Sequence, residues 1–191
     1  EFIYETRDDV YIYRDNRTKR KGWYIRIYES KYRKYWSKSL KTTNKVLAIA
    51  EAEKLYAEKK HRFSIGVRPI SITTKELINL YENERRKELT DIPYQGITKK
   101  SFDTLCQHIK KWEEYMKENG HLNTKIEDIP TELGQQFRFW LKGTPKKANF
   151  KKSPEKNNRT LNHTICAVKL MYTKIGLEKK YITRNEMPEF R

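Results

Sequence analysis

The chain has 191 residues, and its 42 lysines and arginines against 25 acids leave a formal net charge of +17. That length suits one ordinary domain or two small ones, and the charge draws in polyanions, with nucleic acid first among partners and an anionic membrane surface second. The apolar runs are only a few residues long, too short for a helix to span a bilayer, and so no membrane is expected as partner.

The chain opens Glu1-Phe2-Ile3-Tyr4-Glu5, with neither the basic nor the apolar region of a signal peptide. It also lacks a starting methionine, as a piece of a longer protein does. Val10–Arg14 is rich in tyrosine and β-branched residues and reads as a strand; a polar turn from Asp15 to Gly22 follows. Trp23–Glu29 alternates cleanly, Trp23, Ile25 and Ile27 on one face and Tyr24, Arg26 and Tyr28 on the other. A third strand is expected over about Arg33–Leu40, with Trp36 and Leu40 facing inward. Lys38 shares their parity and conflicts with it.

Thr42, Thr43 and Asn44 offer N-caps for a helix from Lys45 to about Lys60. Val46, Leu47, Ile49, Ala50, Ala52, Leu55 and Tyr56 supply its apolar positions. A sheet of three strands with one helix covers one face and leaves the other wet. The expected first domain is 1–62, followed by a linker at 63–72 where Gly66 and Pro69 interrupt any regular element.

Helical signals then take over, over 73–180. Thr73-Thr74-Lys75-Glu76 fits a capping box opening a helix to about Glu88. A second helix, about Thr98–Asn119, carries Phe102, Leu105, Ile109, Trp112 and Met116 at helical spacing and ends before Gly120. Glu132–Lys142 gives a third, and about Arg159–Ile175 a fourth, after a basic loop at 143–157. The fold class is therefore α+β: an N-terminal three-stranded antiparallel sheet with one helix, then an all-α four-helix bundle.

Self-sufficient chemistry is not visible. The sequence has no Gly-rich phosphate loop, no His-Glu-x-x-His and no Gly-x-Ser-x-Gly. His61, His108, His121 and His163 are scattered, and Cys106 and Cys166 lack any companion at ligand spacing, so no metal or other cofactor is expected. Both cysteines fall beside apolar helical stripes, where a free thiol acts as a small hydrophobe in a reducing, intracellular setting. The pairs Asp8/Asp9 and Glu113/Glu114 read as solvated faces, and the chain as it stands is not expected to be an enzyme.

The basic sheet is the strong signal. From Arg17 to Lys45 eleven basic residues face one acid, Glu29. Tyr24, Arg26 and Tyr28 on the wet face, beside Arg33, Tyr35, Ser37 and Ser39, make a ribbon suited to the major groove of duplex DNA. Arginine offers guanine edges a bidentate donor, and Lys19, Arg20 and Lys21 lie in the preceding turn. The same face suits single-stranded RNA if its aromatics are free to stack, or is simply a solvated surface.

A second basic tract lies among the helices. Lys99 and Lys100 open one helix and Lys111 follows along it; Lys146, Lys147, Lys151 and Lys152 line the later loop. Arg159, Thr160, Asn162, His163 and Lys169 lie off the apolar stripe of the last helix, where a helix start favours phosphate.

The stretch "GWYIRI…YWSKSLKTTNKVLAIAEAEKLYAEKK" resembles the arm-binding unit of phage-type integrases. The stretch "ITTKELINLYENERR…ITKKSFDTLCQHIKKWEEYM…RTLNHTICAVKLMYTKI" resembles the SAM-like core-binding domain of tyrosine recombinases. The resemblance implies the DNA-holding part of a site-specific recombinase, one module on distal arm sites and the other clamping the core site. Self-association would occur on DNA through the parent protein, in the cytoplasm or nucleoid of a bacterium, host- or phage-encoded. The family's catalytic Arg, Lys, His-x-x-Arg and Tyr would follow "YITRNEMPEFR", so residues 181–191 would begin a connector, and no tyrosine here is assigned as nucleophile. A regulator without recombinase ancestry, binding DNA or RNA through the same sheet, is the alternative.

Overall fold

The computed structural model describes residues 2–3, 8–14, 22–92, 95–143 and 154–190. The chain divides into two compact units, Glu1–Ile70 and Ser71–Arg191. Together they give the expected α+β class, with the sheet first and the helices after it.

In the first unit, β1 (Phe2–Ile3), β2 (Val10–Arg14), β3 (Trp23–Glu29) and β4 (Lys34–Ser39) form an antiparallel sheet in that order. The sheet thus has one strand more than the three expected, because β1 is only two residues long and too short to show any alternation. Alternation does place the core: Val10, Ile12, Trp23, Ile25, Ile27 and Trp36 are buried. Val10 pairs with Ile27 and Ile27 with Trp36, so the apolar set lies side by side across three strands.

Helix α1 (Lys45–Ser64) covers that face. Asn44 caps it, its side chain accepting from the amides of Val46 and Leu47. The buried stripe runs Ala48, Ala52, Leu55, Lys59, Arg62 and Phe63. This is a rotation from the expected stripe, since Val46 and Leu47 are exposed. Alanines bring the helix close to the sheet, and Lys59 lays its stem along the ring of Trp36, with Nζ 5.0 Å from the ring centre. Residues 63–67 belong to this unit rather than to a linker: Phe63 and Val67 are buried, and the Tyr32 hydroxyl donates to the Gly66 carbonyl.

Four helices build the second unit: α2 (Thr74–Lys87), α3 (Lys99–Glu118), α4 (Leu133–Gly143) and α5 (Pro154–Met171), the last continued by a π-helical turn over Tyr172–Leu177. Thr73 and Glu76 form the capping box, and Gly120 follows α3 at φ 74°. The core centres on Trp112, wholly buried, with Phe137 at 4.8 Å, Phe190 at 5.5 Å and Tyr172 at 6.0 Å between ring centres. Residues 181–190, read from the sequence as the start of a connector, pack onto this core through Ile182, Met187 and Phe190. Gly134 makes that close approach possible, since a Cβ there would lie 2.5 Å from the Glu189 carbonyl oxygen. No helix is long and apolar enough to cross a membrane among the described residues.

Candidate nucleic-acid interface

The outer face of the sheet is built by the same alternation that builds its core. Tyr11 and Tyr13 from β2, Tyr24, Arg26 and Tyr28 from β3, and Tyr35, Ser37 and Ser39 from β4 share it. Register makes Tyr11, Arg26 and Ser37 one cross-strand row, and Tyr13, Tyr24 and Ser39 the next. Tyr13 stacks on Tyr24 at 5.6 Å, and Tyr28 lies against Tyr35 at 4.9 Å.

Arg26 is the centre of the face. Its Nη1 donates to the Tyr11 hydroxyl at 2.7 Å, and its guanidinium carbon lies 4.8 Å from the Tyr35 ring centre. The Tyr11 hydrogen bond holds the guanidinium pKa above its ordinary value despite partial burial.

Glu29, the acid inside the basic stretch, is turned away from this face. It shares parity with Trp23, Ile25 and Ile27, and its carboxylate lies 3.8 Å from Lys60 of α1. Lys60 also pairs with Asp9 at 2.6 Å, and the Tyr56 hydroxyl donates to Asp9 at 3.1 Å. Asp9, read from the sequence as solvated, is therefore a tie between the sheet and α1. Burial alone would raise its carboxyl, but the hydrogen bonds from Lys60 and Tyr56 and the Lys60 charge hold it below the ordinary value. Strands β2 to β4 carry no acid on the outer face.

The remaining sheet candidates divide. Arg33 is not on β4: it lies in the turn after β3 at φ 50°, because the strand begins at Lys34. Lys19, Arg20 and Lys21 lie outside the described residues. Lys38, whose parity conflicted with its charge, lines a hollow of about 500 Å³ at the open sheet edge with Leu40, Leu47, Ala50 and Leu55. It shares the helix side with Trp36 and Leu40 yet stays exposed. Sequence reasoning missed Tyr11 and Tyr13, although the alternation in Val10–Arg14 is the same signal that found Tyr24 and Arg26.

In the helical unit the candidates are dispersed. Lys99 is ion-paired with Asp103 at 3.0 Å on the surface, and Lys100 is exposed beside it. Lys111 lies about 17 Å further along α3 at 1.5 Å per residue, beside His108. His108 Nδ1 and Thr164 Oγ1 are 2.8 Å apart, and Thr164 Oγ1 donates to the Thr160 carbonyl at 3.0 Å. The Thr164 proton is spent on Thr160, which assigns the His108 proton to Nδ1. Burial lowers the His108 pKa, with Lys111 and His163 adding to it through their charges. So Lys111 from α3 and His163 from α5 converge on one place.

Arg159, Asn162, His163 and Lys169 share one exposed face of α5, together with Cys166. The exposed thiol there departs from the buried role expected of it. Helix α5 starts at Pro154, so Arg159 and Thr160 lie past its first turn and the free N–H groups of that turn precede them. Lys146, Lys147, Lys151 and Lys152 lie outside the described residues. No cluster of histidine, cysteine and acid side chains able to hold a metal occurs among the described residues.

The arrangement can therefore offer a hydroxyl-rich surface around one fixed guanidinium, without acid among the described residues of β2 to β4, and a looser basic face on α3 and α5. No family model, curated protein or solved structure matches the chain.

Proposed function

We propose that the protein binds double-stranded DNA, with the outer face of the sheet entering the major groove and the basic face of α3 and α5 holding phosphates. The observation that carries this reading is the sheet's outer face, where Arg26 is framed by tyrosine and serine hydroxyls and no acid is present among the described residues. A two-stranded ribbon fits the groove width, and arginine with hydroxyl donors covers both base edges and phosphates. Single-stranded RNA is the second reading, favoured by the exposure of Tyr35. Against it, Tyr13 and Tyr24 stack on one another, and Tyr35 packs against Tyr28 and under the Arg26 guanidinium.

The resemblance to arm-binding and core-binding modules of tyrosine recombinases makes the DNA-holding part of such an enzyme the more specific proposal, with catalysis placed elsewhere in the parent protein. Two modules on one chain would raise the effective concentration of the second contact, so tight bridging needs only modest grips.

A salt titration of duplex binding tests the reading. The slope of log K on log salt should be roughly −0.9 per phosphate neutralised. Binding that ignores salt, or a single-stranded RNA that outcompetes duplex DNA, would overturn it. The recombinase proposal further expects one chain to bridge two duplexes, read by capture of a labelled duplex on an immobilised one.

A further inference from the structure

We propose that the sheet selects a guanine in its duplex site through Arg26 presented end-on, and that Tyr11 is the positioning residue that makes this selection. The proposal rests on the duplex-binding reading above and adds to it which base is chosen and what holds the reader still.

The argument is a count of donors. A guanidinium carries five N–H groups in a rigid fork. The Nε–H of Arg26 is enclosed and has no hydrogen-bond partner. One Nη1–H is donated to the Tyr11 hydroxyl at 2.7 Å. Of the other three, one is on Nη1 and two are on Nη2. With Nε enclosed, the side-on pair of Nε and Nη2 is broken. The end-on pair, one hydrogen from each Nη, remains, with Tyr11 assigned the Nη1–H on the Cδ side.

Two parallel N–H groups at that end match two acceptors side by side. In the major groove guanine alone presents that pair, N7 and O6; adenine puts its N6 donor beside N7, and cytosine presents a donor. Thymine offers one acceptor and a methyl group.

Fixation is what separates this arginine from an ordinary surface one. The Tyr35 ring lies 4.8 Å from the guanidinium carbon and the Tyr11 ring 5.9 Å. Tyr11 and Ser37 are the direct cross-strand partners of Arg26, so the strand register itself holds the three in one row. A side chain already ordered before binding loses less freedom on docking. An enclosed Nε–H without a partner is an arrangement that asks for a reason, since buried donors are nearly always satisfied. Holding the fork end-on supplies one.

The test uses the full chain and a randomised duplex selection, followed by binding measurements on the selected duplex. A guanine should be enriched at one position, and replacing that G·C pair by A·T should weaken binding about tenfold or more. Placing 7-deazaguanine there, which removes N7, should weaken wild-type binding without touching the protein. Tyr11→Phe keeps the ring and the strand but removes the acceptor. It should shrink the G-over-A preference at least threefold toward unity by weakening the guanine duplex more than its adenine counterpart, with an unchanged salt slope, since no charge is removed. Arg26→Ala should erase the preference.

Salt-dependent duplex binding with no guanine preference, or a guanine preference untouched by Tyr11→Phe or by 7-deazaguanine, would overturn this inference and leave the duplex reading standing. Absence of duplex binding would overturn the duplex reading itself.

Discussion

The two units handle charge in opposite ways. Residues 1–70 hold eighteen basic and nine acidic side chains, and residues 71–191 hold twenty-four and sixteen. The sheet unit therefore concentrates its excess, and strand alternation sorts it further, turning Glu29 inward to Lys60 and leaving the outer face of β2 to β4 without acid among the described residues. In the helical unit, acids and bases share surfaces: Asp103 meets Lys99, and Glu84 meets both Lys87 and Lys179. A strand has only two faces, so one polar face can be made uniform; a helix surface graded around its circumference mixes its neighbours.

The largest effects should show that each unit rests on its own core. Trp112→Ala should cost about 3–5 kcal/mol, measured by hydrogen exchange as lost protection of helical-unit amides. Equal loss among the sheet amides would mean that the cores are not separate. Gly134→Ala should cost about 1–3 kcal/mol, because the new Cβ meets the Glu189 backbone rather than a side chain that can swing away. Exchange protection of the Glu189 amide, which donates to the Thr131 carbonyl at 2.8 Å, reports it. Protection unchanged there would show that the segment gives way freely.

Legibility in the sequence follows the same contrast. Period-two alternation in Trp23–Glu29 fixes both the core and the outer face, and the capping box at Thr73 fixes the start of α2, because each signal is local. The stripe of α1 was misplaced because Lys59 and Arg62 occupy buried positions, their stems packed where an apolar residue is expected. The role of Asp9 was invisible since its partners Tyr56 and Lys60 are distant in sequence. The convergence of His108, Thr164, Lys111 and His163 likewise depends on helix packing that no single-helix pattern encodes. Tyr11 as partner of Arg26 needed the strand register, and no loop pattern supplies that.

Adding one acid to each unit sharpens the contrast in binding. Ser37→Glu puts a carboxylate directly across from Arg26 on the outer face. Duplex affinity should fall about tenfold, about 1.4 kcal/mol, in a mobility-shift titration at fixed salt. Ser101→Glu adds the same charge at the start of α3, where its carboxylate would accept from the Thr98 backbone N–H and complete a capping box. Its effect should be within about twofold, since Asp103 already offsets Lys99 in that turn. Equal losses from the two would erase the distinction between a sorted face and a mixed one.

The smallest effect concerns the acid that the sheet unit keeps for itself. The Asp9 carboxyl is held below its ordinary value while folded, so it adds stability above its unfolded pKa of about 3.9 and loses it as the pH falls through the folded value. Asp9→Asn keeps the shape and removes the charge that meets Lys60 at 2.6 Å. With both partners about one-third exposed, the variant should lose about 0.5–1 kcal/mol at neutral pH. The difference from wild type should narrow as the pH drops below about 4, because the wild-type carboxyl is then losing its charge too. Urea denaturation at several pH values reads this directly. A loss that persists unchanged into acid would assign the effect to the Tyr56 hydrogen bond rather than to the ion pair, and no loss at all would return Asp9 to the solvated surface.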